Sequence, residues 1–257
     1  MAYDEEKTFV RFGKGVDGEK YLTENGYSSE KTPFNNLFSV LHISINDDFE
    51  KGIFTFQSIG SVAICKVAGS GDALFDACAG PGGKSAYLSD NFKNDVACEL
   101  HPHRADLIKA YVERMNRTNV NIVCADSTKF DPRFENRFDR VLCDVPCSGY
   151  GTIKSNPDIK LNRGEQAFLE LNKTQFEILS NCARYVKVGG AIVYSTCSVF
   201  DDENDFIVER FLNANDGFKV EKIESPLYSV QKKYGLQFLP QLSFGAGFYC
   251  ARLLREK

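Results

Sequence analysis

From Asp72 onward one pattern recurs: a short apolar run ending on a polar residue, then a longer segment with apolar residues at helical spacing. Ala73–Asp76, Asp95–Glu99, Asn121–Asp126, Phe138–Asp144 and Ala191–Thr196 read as strands. Helices are expected over Lys84–Asp90, Arg104–Arg117, about Gly164–Val186 and Glu203–Asn213, with Lys187-Val188-Gly189-Gly190 as a C-cap signal. Phe218–Ile223 and Phe248–Leu254 read as a final strand pair across a long connection. Such alternation predicts an α/β fold with a mostly parallel sheet covered on both faces. A ligand then binds beyond the carboxyl ends of the strands, where strand order reverses. That rule gathers Asp76–Lys84, Glu99, Asp126, Asp144–Ser148 and Thr196-Cys197 around one site.

The turn after the first of these strands, Asp76-Ala77-Cys78-Ala79-Gly80-Pro81-Gly82-Gly83-Lys84-Ser85, narrows the ligand. A phosphate-binding P-loop needs glycine where Cys78 stands, and glycines at 80, 82 and 83 miss the G-x-G-x-x-G dinucleotide spacing. What remains is a tight strand-to-helix turn whose backbone can approach a flat ligand. Glu99, ending the next strand, is placed to take both ribose hydroxyls of an adenosine. Asp126, ending the one after, is placed to accept from an adenine amino group. Three successive strand ends therefore point to an adenosine-bearing ligand.

Nine cysteines, an odd number, occur without the apolar core of an export signal in Met1–Lys20. The expectation is a reduced, cytoplasmic protein without a disulfide framework. Most of these cysteines read as small buried hydrophobes. Cys143 and Cys147 form a C-x₃-C pair, but no second Cys/His pair completes four ligands, so no metal is expected. No run is long and apolar enough to suggest a membrane span. The net charge of −4 argues against gripping nucleic acid by bulk electrostatics, leaving a local basic groove open. Arg133, Arg137, Arg140, Lys154, Lys160 and Arg163 flank the fourth strand in sequence and are expected to form a basic rim.

Two cysteines differ from the rest. Asp144-Val145-Pro146-Cys147-Ser148 and Thr196-Cys197-Ser198 end neighbouring strands, which sets both thiols at the ligand mouth beside an acid. A thiolate there attacks an electron-poor ring carbon, helped by nearby basic groups that lower its pKa.

With DACAGPGGKS (76–85), FDRVLCDVPCSGYG (138–151), NPDIK (156–160) and VYSTCSV (193–199), the chain resembles the RsmB/Nop2/Sun family of RNA cytosine-5 methyltransferases from about Thr8 to Leu254. The resemblance implies a Rossmann-like, seven-stranded fold dependent on S-adenosylmethionine (AdoMet), with the last strand antiparallel. It also implies that Cys197 adds to C6 of cytosine and that Cys147 assists loss of the C5 proton and release. Cys78, Ala79, Gly80, Pro81, Gly82, Gly83, Lys84, Glu99, Asp126 and Asp144 would contact AdoMet, with Arg104 supporting. Lys84 and Asp144 would also touch the cytosine. Ribosomal RNA is expected ahead of transfer RNA. An amino-methyltransferase is disfavoured because its motif closes on an aromatic residue where Cys147 stands. A non-catalytic RNA-binding relative is disfavoured because both cysteines are present.

Ser58 stands where the family usually has the acid of Gln-Asp, and Gly245-Ala246-Gly247-Phe248-Tyr249 where Asp-Gly-Phe-Phe is common. Residues 1–50, with possible strands at Thr8–Phe12 and Leu41–Ile45, resemble part of a small RRM-like subdomain. Residues 51–257 would form the catalytic domain of a monomer. The long RNA-binding extension of bacterial members is not expected in this chain, which leaves a partner protein as a further source of RNA specificity.

Overall fold

The computed structural model describes residues 8–154, 156–161, 164–245 and 247–257, apart from the side chains of Lys160 and Leu161. Strands β1 (Thr8–Phe12), β2 (Ser29–Lys31), β3 (Leu37–Val40) and β4 (Phe54–Phe56) form an antiparallel sheet in the order β2-β3-β1-β4. Helices α1 (Gly18–Glu24) and α2 (Asp47–Glu50) interrupt it, and Val10, Phe12, Leu22, Val40 and Phe54 fill its core. The sheet thus takes in a strand beyond residue 50. Leu41–Ile45, expected as a strand, is irregular: His42 has φ of 56°, which an extended chain cannot hold.

The second sheet follows α3 (Ile59–Ala68) and contains β5 (Gly71–Asp76), β6 (Phe92–Glu99), β7 (Val120–Cys124), β8 (Phe138–Asp144), β9 (Val186–Thr196), β10 (Phe218–Glu221), β11 (Val230–Gln231), β12 (Leu236–Phe238) and β13 (Phe248–Arg255). Strands β7, β6, β5, β8 and β9 lie side by side and parallel, and β13 closes on β9 antiparallel. β10 pairs with one half of β13. The short ribbon β11–β12 pairs with the other half and extends the expected seven strands to nine.

Side chains along β8 and β9 alternate between two layers, as the period of two requires. Val141, Cys143, Ile192 and Tyr194 join the core under α6 (Glu165–Cys182) and α7 (Asp205–Ala214). Leu142 and Val193 join the core under α3. The helices α4 (Gly83–Leu88) and α5 (Pro102–Arg114) cover β6 through Ala86, Ala97, Ile108 and Val112. Each fully buried aliphatic side chain contributes about 1.5–3 kcal/mol against exposure, so the layering is set by the apolar pattern itself.

One expected boundary moves. α6 ends at Cys182, and Lys187-Val188-Gly189-Gly190 lies inside β9 rather than capping the helix. Tyr185 and Val186 are buried, and Val186 pairs with Phe138. The next partner of β8, at Arg140, is Ala191, so β9 bulges between them around Gly189, whose φ is 81°. Among the described residues no helix is long and apolar enough to cross a membrane.

Candidate active site

The parallel strands open toward one rim, and strand order reverses between β5 and its neighbours β6 and β8. The turn leaving β5 is stitched into that rim: the Ala77 N–H donates to Leu142 O and the Ala79 N–H to Cys98 O, each at 2.9 Å. The Glu99 carboxylate, 4% exposed, accepts from the N–H groups of Gly80 at 3.2 Å and His101 at 3.1 Å. Arg104 donates to Gly80 O at 3.0 Å and lies 3.6 Å from Glu99. A Cβ on residue 80 would press on that carboxylate and the Arg104 guanidinium, so a side chain there would have to push both aside. A carboxylate has about four acceptor positions, which leaves capacity for a ligand hydroxyl. Asp126 accepts from the amide and hydroxyl of Thr128 at 2.9 and 2.7 Å. Burial opposes its charge, but the Thr128 donors and Lys129 outweigh that and hold it below the usual carboxylate range. These features fit an adenosine ligand: a glycine-rich turn leaving β5, with acids at or just past the ends of β6 and β7, one fixed by backbone N–H groups and one held ionised.

Lys84 and Asp144 form an ion pair of 2.6 Å, each side chain about 23% exposed. Ser195 donates to the other Asp144 oxygen at 2.7 Å. Burial works against the Lys84 charge, yet Asp144 outweighs it and holds the ammonium above its ordinary value. Beneath the turn, burial pushes Asp76 up to about 6, although Ser85 donates to it at 2.7 Å.

The β8–β9 pairing aligns Asp144 with Ser195, and the two chains separate just beyond it. Cys147 and Cys197 face each other there, with sulfurs 3.0 Å apart. The Cys197 N–H points to the Cys147 sulfur at 3.2 Å. The hydrogen bond from Cys147 lowers the Cys197 pKa against burial and Asp144, and Lys84 adds to the lowering. The same bond and burial push the Cys147 pKa up. Gly151 donates to Cys197 O and accepts from the Gly247 N–H, both at 2.9 Å, leaving no room for a side chain.

The structure therefore brings Lys84, Asp144, Cys147 and Cys197 together, beside the segment that joins Gly80, Glu99 and Arg104. Cys78 is partly buried behind the turn, and its thiol is pushed up by burial. The expected basic rim is not gathered in this way. Arg133 and Arg137 precede β8 and Arg140 is its third residue, so they sit toward the amino end of the strand whose carboxyl end carries Asp144. Arg133 pairs with Asp131, and Arg140 is half-buried with its guanidinium on Asp139 O. Lys154 is exposed, seven residues past Cys147 in sequence. The Lys160 side chain, Arg163 and Ala246 lie outside the described residues. Ser58 caps α3, accepting from the Ser61 N–H at 3.2 Å, while Gln57 bridges Arg11 to Gly83 O.

Several residues around the thiols carry no motif signal. Glu203 is fully buried and accepts from the N–H and hydroxyl of Ser148, at 2.7 and 2.5 Å, and from Gln175 at 3.0 Å. Asn204 accepts from Thr196 at 2.5 Å and donates to Gln237 at 2.9 Å. Tyr150 and Phe168 pack their edges on Phe200, which keeps 37% of its surface exposed three residues past Cys197. Among the described residues no group of three or more His, Cys, Asp or Glu side chains could hold a metal ion.

A family model described as 16S rRNA methyltransferase RsmB/F matches residues 66–254. The chain is 32% identical over 219 residues to the probable ribosomal RNA small subunit methyltransferase B of Bacillus subtilis, which is 81% of this chain and 49% of that protein. It is 32% identical over 251 residues to ribosomal RNA small subunit methyltransferase B of Photorhabdus laumondii, 93% of this chain and 57% of that one. The chain thus spans about half the length of the curated relatives it matches. The crystal structure of PH0851 shares its fold with a TM-score of 0.90 at 27% identity, over 97% of this chain and 60% of that chain. NSun6 from Pyrococcus horikoshii with SFG does so with a TM-score of 0.87 at 18% identity, over 98% and 91%.

Proposed function

The chain belongs to the RsmB/F family of 16S rRNA methyltransferases, and from that premise we propose that it methylates C5 of a cytosine in RNA, ribosomal RNA ahead of transfer RNA, through a covalent bond from Cys197 to C6. The observation that carries this reading is the thiol pair, sulfurs 3.0 Å apart, beside the Lys84–Asp144 ion pair. Cytosine C5 is a weak nucleophile until C6 is saturated, so the chemistry calls for a covalent nucleophile rather than proximity alone.

The Cys197 sulfur, its charge favoured by Cys147 and Lys84, adds to C6, breaking the C5=C6 π bond and moving its electron pair to C5, which becomes the nucleophile. Asp144 and Lys84 offer an acceptor and a donor to the edge of the base. The backbone from Cys78 to Lys84, with Glu99, Asp126, Asp144 and Arg104, would hold AdoMet. When bound, AdoMet supplies an electrophilic methyl group for C5. Loss of the C5 proton to a base re-forms the C5=C6 bond and expels the Cys197 thiolate, with Cys147 assisting. A base must leave any helical stack to reach such a rim. The exposed ring of Phe200 offers a stacking face to single-stranded RNA, and Lys154 a contact to phosphate.

The test uses the full chain, labelled AdoMet and small-subunit rRNA carrying tritium at cytosine C5. The reading expects one tritium released per methyl group transferred. Methyl incorporation with the tritium retained would place the reaction on another atom and sink it.

A further inference from the structure

Two thiols 3.0 Å apart share one proton whenever one of them is ionised, and their separation does not say which sulfur keeps it. The surroundings differ on the two sides. Cys197 faces Lys84 and Asp144, an ion pair of 2.6 Å whose opposite charges largely cancel at a distance. Cys147 is followed by Ser148, whose N–H and hydroxyl both end on Glu203. That carboxylate is shut off from solvent, so water screens it little. All three of its side-chain partners, two from Ser148 and one from Gln175, are donors. Tyr194, packed against the same segment, donates to the Glu203 backbone carbonyl at 2.6 Å and brings no charge.

Resting on the reading of Cys197 as nucleophile, we propose that Glu203 is a positioning residue for the proton shared by the two thiols: its buried carboxylate, fixed to the residue after Cys147, keeps the proton on Cys147 and leaves the Cys197 sulfur free to attack. A negative charge beside one sulfur opposes a second negative charge there, and Glu203 is among the charges that push the Cys147 thiol up. Two contacts pull the other way: the Cys197 N–H, at 3.2 Å, and the Gly149 N–H favour charge on the Cys147 sulfur. They are neutral dipoles set against a full charge.

The clamp also has a mechanical side. Gln175 donates both to Glu203 and to Pro146 O, at 3.0 and 2.9 Å. The segment carrying Cys147 is thereby tied to the turn Asp201–Glu203, which follows Cys197 in sequence. A buried carboxylate is costly to keep. A neutral glutamine would serve the mechanical role alone, so the charge is the part that needs a task.

The test needs neither RNA nor AdoMet, so it fails or succeeds separately from the reaction assignment. The full chain is treated with limiting iodoacetamide across a pH series, and alkylation at Cys147 and Cys197 is counted by peptide mass spectrometry. Wild type should be alkylated at Cys197. Glu203→Gln, folded by circular dichroism, should raise the Cys147 share several-fold and move the Cys147 profile to lower pH. Glu203→Asp, which keeps the charge, should stay close to wild type. A wild-type partition in Glu203→Gln would overturn the proposal, as would an equal redistribution in both variants, which marks a packing role. Should Glu203→Gln fail to fold, Ser148→Ala carries the test. Removing the hydroxyl that partly neutralises the carboxylate should move the Cys147 alkylation profile to higher pH than in wild type, and an unmoved profile would overturn the proposal.

Discussion

Strand β8 and the segment that follows it carry two cysteines four residues apart, and each meets a partner from another element. Cys143 packs against Cys182 of α6 in the core, both without exposure. Cys147 meets Cys197 at the open rim, both partly exposed. The chemistry of the two pairs diverges. Burial first, then contact with Cys143, pushes the Cys182 thiol well above its ordinary value. The Cys197 thiol is held below it by its partner's hydrogen bond, with Lys84 helping. Residue type and pairing are the same, so the difference lies in position. A thiol that ends a strand can reach a cation and solvent, whereas one inside a layer can reach only apolar atoms and another thiol.

The contrast can be broken most forcefully by activity. Cys197→Ala should lower methyl transfer by on the order of 10³-fold or more, as removal of a nucleophile does. Cys182→Ala should leave it within about twofold, the range expected of a small core change away from the reacting atoms. Comparable losses in both would erase the distinction. A second comparison is kinetic. In the folded protein Cys197 should react with iodoacetamide faster than Cys143 or Cys182 by on the order of 10²-fold, the buried pair waiting for local unfolding. Equal rates would show that burial does not separate the pairs.

A third prediction concerns the cation. A thiol whose folded-state pKa is lowered is charged over a wider range at its lower end. Lys84→Met should therefore move the Cys197 alkylation profile to higher pH, slowing the reaction near neutrality and restoring it in alkali. An unmoved profile would take Lys84 out of the account. The smallest effect is on stability, where the order reverses. Cys182→Ala should cost about 1 kcal/mol, seen as a drop of about 2–4 °C in Tm. Cys147→Ala, at the rim, should stay within about 0.5 kcal/mol of wild type.

The comparison also explains what the sequence could carry. The strand ends Asp76, Glu99, Asp144 and Thr196 were readable because apolar runs of period two or continuous burial end abruptly in polar residues. The pairing of Cys147 with Cys197 was readable for the same reason, since two such ends on neighbouring strands must meet. Glu203 was not. It stands in Asp201-Asp202-Glu203, which reads as the acidic first turn of a helix, and only the three-dimensional path turns its carboxylate inward onto Ser148. Arg133, Arg137 and Arg140 left the expected rim for a related reason: nearness in sequence to β8 says nothing of which end of the strand a side chain occupies. Gly189-Gly190 misled because glycine marks a helix end and a bulge equally well, and the burial of Tyr185 and Val186 decided for the bulge.

The central claim, that Cys197 forms the covalent bond and Cys147 helps to break it, is tested most directly by trapping. Cys147→Ala, mixed with AdoMet and cytosine-containing rRNA, should accumulate an RNA–protein adduct stable on a denaturing gel. Peptide mapping should place the nucleotide on Cys197, and Cys147→Ala/Cys197→Ala should form none. An adduct on another residue, or no adduct with turnover intact, would contradict the account.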